Sequence, residues 1–208
     1  MAISTKNLYK KYGSHFVLED LSLNVNRGSI YGFLGKNGAG KTTTIKLLSG
    51  LSIPSQGQIY IDGMDLSIES KNIKHILGLV PQDSGFYDER TALSHMVYYG
   101  RLKGLSRKES LEQSRYLLDQ VGLGNEVFKN VGYFSHGMKT RLGIAQALLN
   151  NPKIIILDEP TNGLDPVGIH QIRQILHKCN NKGITIFLSS HNLFEIQEIC
   201  THGQSFVM

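Results

Sequence analysis

Short apolar runs alternate with polar positions over the first part of the chain. Phe16-Val17-Leu18, and then Leu21, Leu23 and Val25, recur at spacings that predict strands. Ser29 to Leu34 (SIYGFL) reads as a further strand, and Thr43 to Leu48 opens an apolar-periodic helix. Gln58 to Ile61 and Ile76 to Val80 predict two more strands. From about Thr91 the character changes. SHMVYYGRLKGL and SLEQSRYLLDQVGL have helical spacing, with Leu111, Tyr116, Leu117, Leu118 and Val121 expected on one apolar stripe. Helix signals then dominate to about Asn150. Ile154-Ile155-Ile156-Leu157 and Ile184-Thr185-Ile186-Phe187-Leu188 return to continuous β-branched runs, the pattern of strands buried on both faces of a parallel sheet.

Composition changes this picture little. The chain has 208 residues, 40% hydrophobic and 19% charged, which fits one ordinary globular domain with a sizeable core. A net charge of +5 suits anionic ligands or an anionic membrane surface, but the basic residues are dispersed along the sequence. Cys179 and Cys200 are the only cysteines and have no paired spacing, so free thiols in a reducing compartment are expected. The polar N-terminus, MAISTKNLYKKYG, lacks the apolar core of a signal peptide. No apolar run approaches the ~20 residues that span a bilayer. The expectation is a cytoplasmic chain whose membrane role, if any, comes through a partner.

The candidate chemistry begins at Gly35-Lys36-Asn37-Gly38-Ala39-Gly40-Lys41-Thr42, which matches G-x-x-x-x-G-K-[ST] between a strand and a helix. Glycines let such a loop wrap closely, so that successive backbone N–H groups point at one phosphate, and the following helix adds its positive dipole end. Lys41 is placed to neutralise the β- and γ-phosphates of a nucleotide, and the Thr42 hydroxyl to ligate Mg²⁺. The run Ile154–Leu157 ends in Asp158 and Glu159, two carboxylates at the carboxyl edge of the sheet, where α/β proteins bind ligands. Asp158 suits Mg²⁺ held through water, and Glu159 suits the water that attacks a γ-phosphate. Phe134-Ser135-His136-Gly137-Met138 precedes an apolar helical run, where a serine alone reads as an N-cap. The architecture implied is an α/β nucleotide-binding core interrupted by a helical insert near residues 88 to 150.

The order of these motifs resembles the ATP-binding subunit of an ABC transporter, and the likeness runs through nearly the whole chain. Tyr12 matches the aromatic that stacks on adenine, and GKNGAGKT the Walker A loop. Gln82 in LVPQD matches the Q-loop glutamine, FSHGM the signature, and ILDEP the Walker B strand. Asn162-Gly163-Leu164-Asp165 matches the D-loop, and His191 in LSSHN the switch histidine.

The resemblance implies an α/β fold: a P-loop NTPase core with a mainly parallel sheet, an N-terminal antiparallel β subdomain and an inserted helical subdomain. Residues of about 1–87 and 151–208 would form the core and about 88–150 the helical part. It implies ATP and Mg²⁺ as cofactors. Nucleotide contacts would come from Tyr12, Gly35, Lys36, Asn37, Gly38, Ala39, Gly40, Lys41, Thr42 and Thr43, and from Ser135 and Gly137 of an opposing subunit. Thr42, Gln82 and Asp158 would serve the metal, and Glu159, His191 and Gln82 catalysis.

The partners implied are a second nucleotide-binding domain, identical or not, and a separate transmembrane permease, with no nucleic acid expected. The place implied is the inner face of the cell membrane. One rival function is a non-transport ABC ATPase acting on ribosomes or nucleic acid, against which stand the single nucleotide domain and the lack of a long coiled coil and of a basic arm. A second is a P-loop kinase, which has no use for FSHGM or a switch histidine.

Three departures accompany the likeness. Lys36 stands where the loop most often has proline, and His136 and Met138 replace a glycine and a glutamine of the usual signature. SHGMK followed by Arg141-Leu142-Gly143 resembles a subgroup of bacteriocin, lantibiotic and bacitracin export or immunity ATPases, which points to a peptide antibiotic or drug as cargo. The tail GQSFVM does not continue as the family's terminal strands do, so an altered tail lacking those strands is expected.

Overall fold

The computed structural model describes residues 1–83 and 85–200. An antiparallel sheet opens the chain. β1 (Ile3–Tyr12) pairs with β2 (His15–Leu21), with the two-residue β3 (Asn24–Val25), and with β5 (Gln56–Ile61), whose other edge holds β6 (Met64–Asp65). A separate parallel sheet has the order β4 (Ile30–Leu34), β9 (Thr185–Ser190), β8 (Ile154–Leu157), β7 (Leu77–Val80). All residues of β4, β8 and β9 are buried, the polar Thr185, Ser189 and Ser190 at the ends of β9 included.

Successive side chains of these strands point to opposite faces and feed two cores. Ile155, Leu157, Ile186 and Leu188 join one with Ile144, Ile172 and Ile196. Ile156, Phe187, Phe33 and Tyr31 join the other with Ile45, Leu47 and the antiparallel sheet. The rings of Tyr31 and Phe187 stack at 5.5 Å between centroids. α1 (Lys41–Leu48), α6 (Pro166–Asn181) and α7 (Leu193–Ile199) flank the parallel sheet. Asp165 caps α6 by accepting from the Gly168 N–H at 2.8 Å, and Pro166 takes the first turn, where no amide partner is needed.

Between β7 and β8 lie α3 (Ala92–Leu102), α4 (Arg107–Gln120) and α5 (His136–Ala147). α4 starts with a capping box of Ser106 and Glu109. The expected α4 stripe is corrected here. Leu117, Leu118 and Val121 are buried, but Leu111 and Tyr116 face solvent, and Ser110 and Ser114 are buried in their place. The cause is close packing on α3: a Cβ at Gly100 would stand 3.0 Å from Ser110 Oγ, so this seam admits only small side chains. Lys103, just past α3, donates to the carbonyls of Ala147 at 3.2 Å and Leu149 at 3.0 Å, tying α3 to the end of α5. Burial pushes its ammonium pKa down to about 8.

Other differences are local. Ile76 ends an unexpected short helix, α2 (Ser70–Ile76), rather than starting β7, and β9 begins at Thr185 and runs to Ser190. The tail GQSFVM lies outside the described residues. No described helix is long and apolar enough to cross a membrane.

β7 and α5 meet backbone to backbone, because a Cβ at Gly78 would overlap the Ala147 carbonyl. Gly78→Val should therefore push α5 off the sheet. Overpacking of this kind costs about 1–3 kcal/mol, read as a lower denaturation midpoint against Leu79→Val as a control on the same strand.

Candidate functional site

Parallel pairing brings four strand ends to one edge. Leu34 lies beside Ser190, Leu157 beside Leu188, and Val80 beside Leu157. The segments that leave these ends carry Gly35, His191, Asp158 and Gln82, so residues far apart in sequence share one rim. The glycine-rich loop is pinned where it leaves the sheet by Gly35 N–H donating to the Ser190 carbonyl at 3.2 Å. Ala39 N–H closes a turn on the Lys36 carbonyl at 3.1 Å. Gly40 has φ +86°, and a Cβ there would stand 2.8 Å from the Val17 carbonyl oxygen, so this position needs glycine twice over. α1 starts at the next residue, with its first N–H groups facing the loop.

Lys41 is the electrostatic centre of the rim. Its side chain is 6% exposed and its ammonium donates to the Gly35 carbonyl at 2.7 Å and the Lys36 carbonyl at 3.0 Å. It also pairs with Glu159 Oε1 at 3.1 Å, a carboxylate only 8% exposed. The other oxygen of Glu159 lies 2.6 Å from His191 Nδ1. A carboxylate only accepts, so Nδ1 carries the proton, and in the neutral ring Nε2 is left as an acceptor. Glu159 sits at φ +48°, a left-handed conformation that costs a non-glycine residue about 1–3 kcal/mol and that surrounding contacts must hold. One such contact is its N–H donating to Ser189 Oγ at 2.9 Å, while the Ser189 hydroxyl donates to Asp158 Oδ1 at 2.7 Å. A single buried hydroxyl thus positions both carboxylates.

A cavity of about 360 Å³ opens over this centre. Asn37, Gly38, Gly40, Lys41, Thr42, Thr43, Gln82 and Glu159 line it, together with Val17 and Asn162. A neighbouring space of about 400 Å³ extends from Gln82, Asp158 and Glu159 to His136 and Lys139. Gly35 and Lys36 contribute carbonyls to Lys41 rather than wall to the first cavity, and Ala39 closes the turn.

The remaining predicted residues stand further out. Tyr12 ends β1, is half-exposed, and carries the Lys10 ammonium 4.8 Å from its ring centroid. Ser135 caps α5, accepting from Met138 N–H at 3.3 Å, and Gly137 lies near Leu164. His136, the signature departure, brings Nε2 to 2.9 Å from the Asn162 carbonyl, joining the start of α5 to the loop after Glu159. Sequence reasoning passed over Val17 and Ser189. The pair Ser189-Ser190 at the end of a buried run was the available signal for the second.

The residues present suit a magnesium nucleotide. A buried ammonium partnered by two backbone carbonyls and one carboxylate can exchange that carboxylate for phosphate without losing charge compensation. Thr42, Gln82 and Asp158 offer hard oxygen donors at one rim. The described residues hold no group of three or more His, Cys, Asp and Glu able to form an all-protein cage. Mg²⁺ typically takes one or two carboxylates and completes its shell with phosphate and water.

Comparisons with known proteins agree with this geometry. The family model described as ABC transporter matches residues 18–162. The chain is 46% identical over 201 residues to the bacitracin transport ATP-binding protein BcrA of Bacillus licheniformis, covering 96% of this chain and 65% of that protein. It is 39% identical over 197 residues to the lantibiotic transport ATP-binding protein SrtF of Streptococcus pyogenes, covering 95% and 83%. The chain therefore spans about two thirds of the length of BcrA. Among solved structures, the dimeric post-hydrolysis state of the ATP-binding cassette MJ0796 bound to ADP and Pi superposes with TM-score 0.84 at 28% identity, over 93% of this chain and 89% of that one. CbiO1 from Clostridium perfringens, part of the ABC transporter complex cbiONQ, gives TM-score 0.88 at 28% identity, over 100% and 84%.

Replacing Lys41 by alanine removes the ammonium paired with Glu159 over the cavity. A lost charge-assisted contact to phosphate costs about 1.5–3 kcal/mol, so MgATP affinity should fall by roughly tenfold or more in a nucleotide titration, while the fold, read by circular dichroism, stays intact.

Proposed function

The chain belongs to the ABC transporter family, and on that premise we propose that it is an ATP-hydrolysing subunit that dimerises around MgATP. The dimer would drive a separate membrane permease from the inner face of the cell membrane. The cargo class is a peptide antibiotic or drug, as the names of BcrA and SrtF suggest. The observation that carries the reading is the buried Lys41–Glu159 pair beside a phosphate-sized cavity, with the exposed His191 held on the far oxygen of Glu159. The alternative of an ATPase acting on ribosomes or nucleic acid finds no support among these relatives.

The chemistry follows from what each residue already touches. Backbone N–H groups of the loop and of the first turn of α1 hold the β- and γ-phosphates, and Tyr12 offers a ring face to the base. Lys41 turns from Glu159 to phosphate. That releases Glu159 Oε1 as a proton acceptor for the attacking water, with Oε2 still held by the Nδ1–H of His191. His191 Nε2 is then free to engage the water or the γ-phosphate. Mg²⁺, held by Thr42, Gln82 and Asp158, would neutralise charge on the β- and γ-oxygens. Gln82 sits between this rim and the α3–α5 segment and would relay the state of the site to the permease. Ser135 and Gly137 stand apart from the cavity in their own chain, so their place is on the nucleotide of a second subunit, where the first turn of α5 and the Ser135 hydroxyl meet the γ-phosphate.

Glu159→Gln should abolish hydrolysis, because an amide cannot take the water's proton. It should also bind MgATP more tightly than wild type, since Lys41 no longer has a carboxylate to leave. An ATP-dependent dimer on size-exclusion chromatography and a flat phosphate-release trace are the expected readouts. Wild-type turnover would remove Glu159 from its role.

Ser135→Arg separates the two halves of the proposed composite site. Monomer affinity for MgATP should stay within about twofold, and ATP-driven dimerisation in the Glu159→Gln background should vanish. In the otherwise wild-type chain, mixing Ser135→Arg with Lys41→Ala should restore part of the turnover, because one composite site per mixed dimer is intact. Normal dimerisation of the Ser135 variant would leave this serine as a helix cap only.

A further inference from the structure

At the opposite end of the parallel strands, where β8 and β9 begin, lies a larger cavity of about 850 Å³, within the range of small-molecule sites. Its place is well separated from the phosphate rim. Ile154 lines it and Asp158 is four positions along the same strand direction, roughly 13 Å away at the rise of an extended chain. The floor is apolar: Leu117, Val121, Leu148, Ile154 and Ile175 line it, each no more than 7% exposed. Cys179 adds a thiol whose pKa burial pushes up to about 11, so at neutral pH it is an uncharged wall.

The rim has the opposite character. Arg27, Lys153, Lys178 and Lys182 line it, and Asp62 is the one carboxylate among the lining residues. Asp62 is already shared, with Lys153 Nζ at 2.8 Å and Arg27 Nη2 at 2.6 Å, and these two partners, Lys153 foremost, hold its carboxyl below the usual range. Lys182 donates to the Tyr116 hydroxyl at 3.1 Å, a neutral partner that leaves its charge uncompensated. Lys178 lies in the last turn of α6, exposed. Cationic heads on flexible stems thus surround an apolar hollow, an arrangement that attracts a negative group while leaving room below it for hydrocarbon.

We propose that this cavity is a binding site for an amphiphilic organic anion, with its alkyl or aryl body on the apolar floor and a carboxylate or phosphate head between Lys178 and Lys182. The site is independent of the nucleotide function inferred above. It lacks the glycine-rich backbone that cradles a triphosphate, and its rim repels cationic amphiphiles. Because Tyr116 comes from α4, Lys182 follows α6 and Arg27 follows the antiparallel strand β3, a ligand seated there would bridge the helical insert, the parallel core and the N-terminal sheet.

Isothermal titration of the whole chain tests the assignment, using dodecanoate, dodecyl phosphate, dodecyltrimethylammonium and inorganic phosphate, each below its micelle concentration. One equivalent of dodecanoate or dodecyl phosphate should bind, and the tighter of the two names the head group. Dodecyltrimethylammonium, which has the body with reversed charge, and inorganic phosphate, which has the charge without the body, should bind at least about tenfold more weakly, a difference of about 1.4 kcal/mol. The double variant Lys178→Glu/Lys182→Glu should lose about tenfold or more in affinity for the anion, with its melting temperature and MgATP affinity unchanged. Cys179→Phe, which fills the floor, should weaken binding without altering rim charge. Saturating MgATP should not displace the anion. Equal binding of the ammonium amphiphile, undiminished binding by the double variant, displacement by MgATP, or no saturable binding would each overturn the assignment.

Discussion

A buried ammonium is among the most demanding groups a protein can contain, and the nucleotide rim of this chain is organised around one. Lys41 is cut off from water and must be compensated at every moment, because an isolated charge in such a place would cost several kcal/mol. Two loop carbonyls supply part of that compensation and Glu159 supplies the rest. The carboxylate is in turn held by His191 and by the Ser189 hydroxyl at its backbone. Each contact exists because parallel pairing delivers the ends of β4, β8 and β9 to the same edge. The ammonium is therefore what holds Glu159 at the edge of the cavity, and an anionic ligand such as phosphate could take over that duty.

What was legible in the sequence was what is local. The loop Gly35–Thr42 announces itself because every residue it needs is contiguous, and Asp158-Glu159 because two carboxylates close an otherwise apolar run. Buried strands showed as β-branched runs for the same reason. The roles that depend on register were hidden. Ser189 matters only because β9 lies beside β8, which no window of sequence reveals. The α4 stripe went wrong at Leu111 and Tyr116 because periodicity cannot register that Gly100 brings the neighbouring helix too close for large side chains. α2 was missed because seven polar-rich residues carry little periodic signal.

Charge shows the same division. Along the sequence the basic residues look scattered, so their spacing alone did not establish a cationic surface. The fold gathers Arg27, Lys153, Lys178 and Lys182 around one hollow, from a turn, a strand approach and the end of a helix. Net charge and its linear spacing gave no hint of this basic mouth.

The close approach of Gly78 to Ala147 has a mechanical meaning. With no side chain between them, the last turn of α5 bears directly on β7, two residues before the strand ends and the Gln82 segment begins. The twelve residues of α5 project from that contact for about 18 Å, and Ser135 and His136 ride at the far tip. The helix is a lever arm with its fulcrum on the sheet. A tilt of about 5° there sweeps the tip through roughly 1.5 Å over a helix of this length, and the His136–Asn162 bond ties the sweep to the loop after Glu159. Small rotations at the base of the arm would thus be converted into ångström-scale displacements of Ser135 and His136 at its tip.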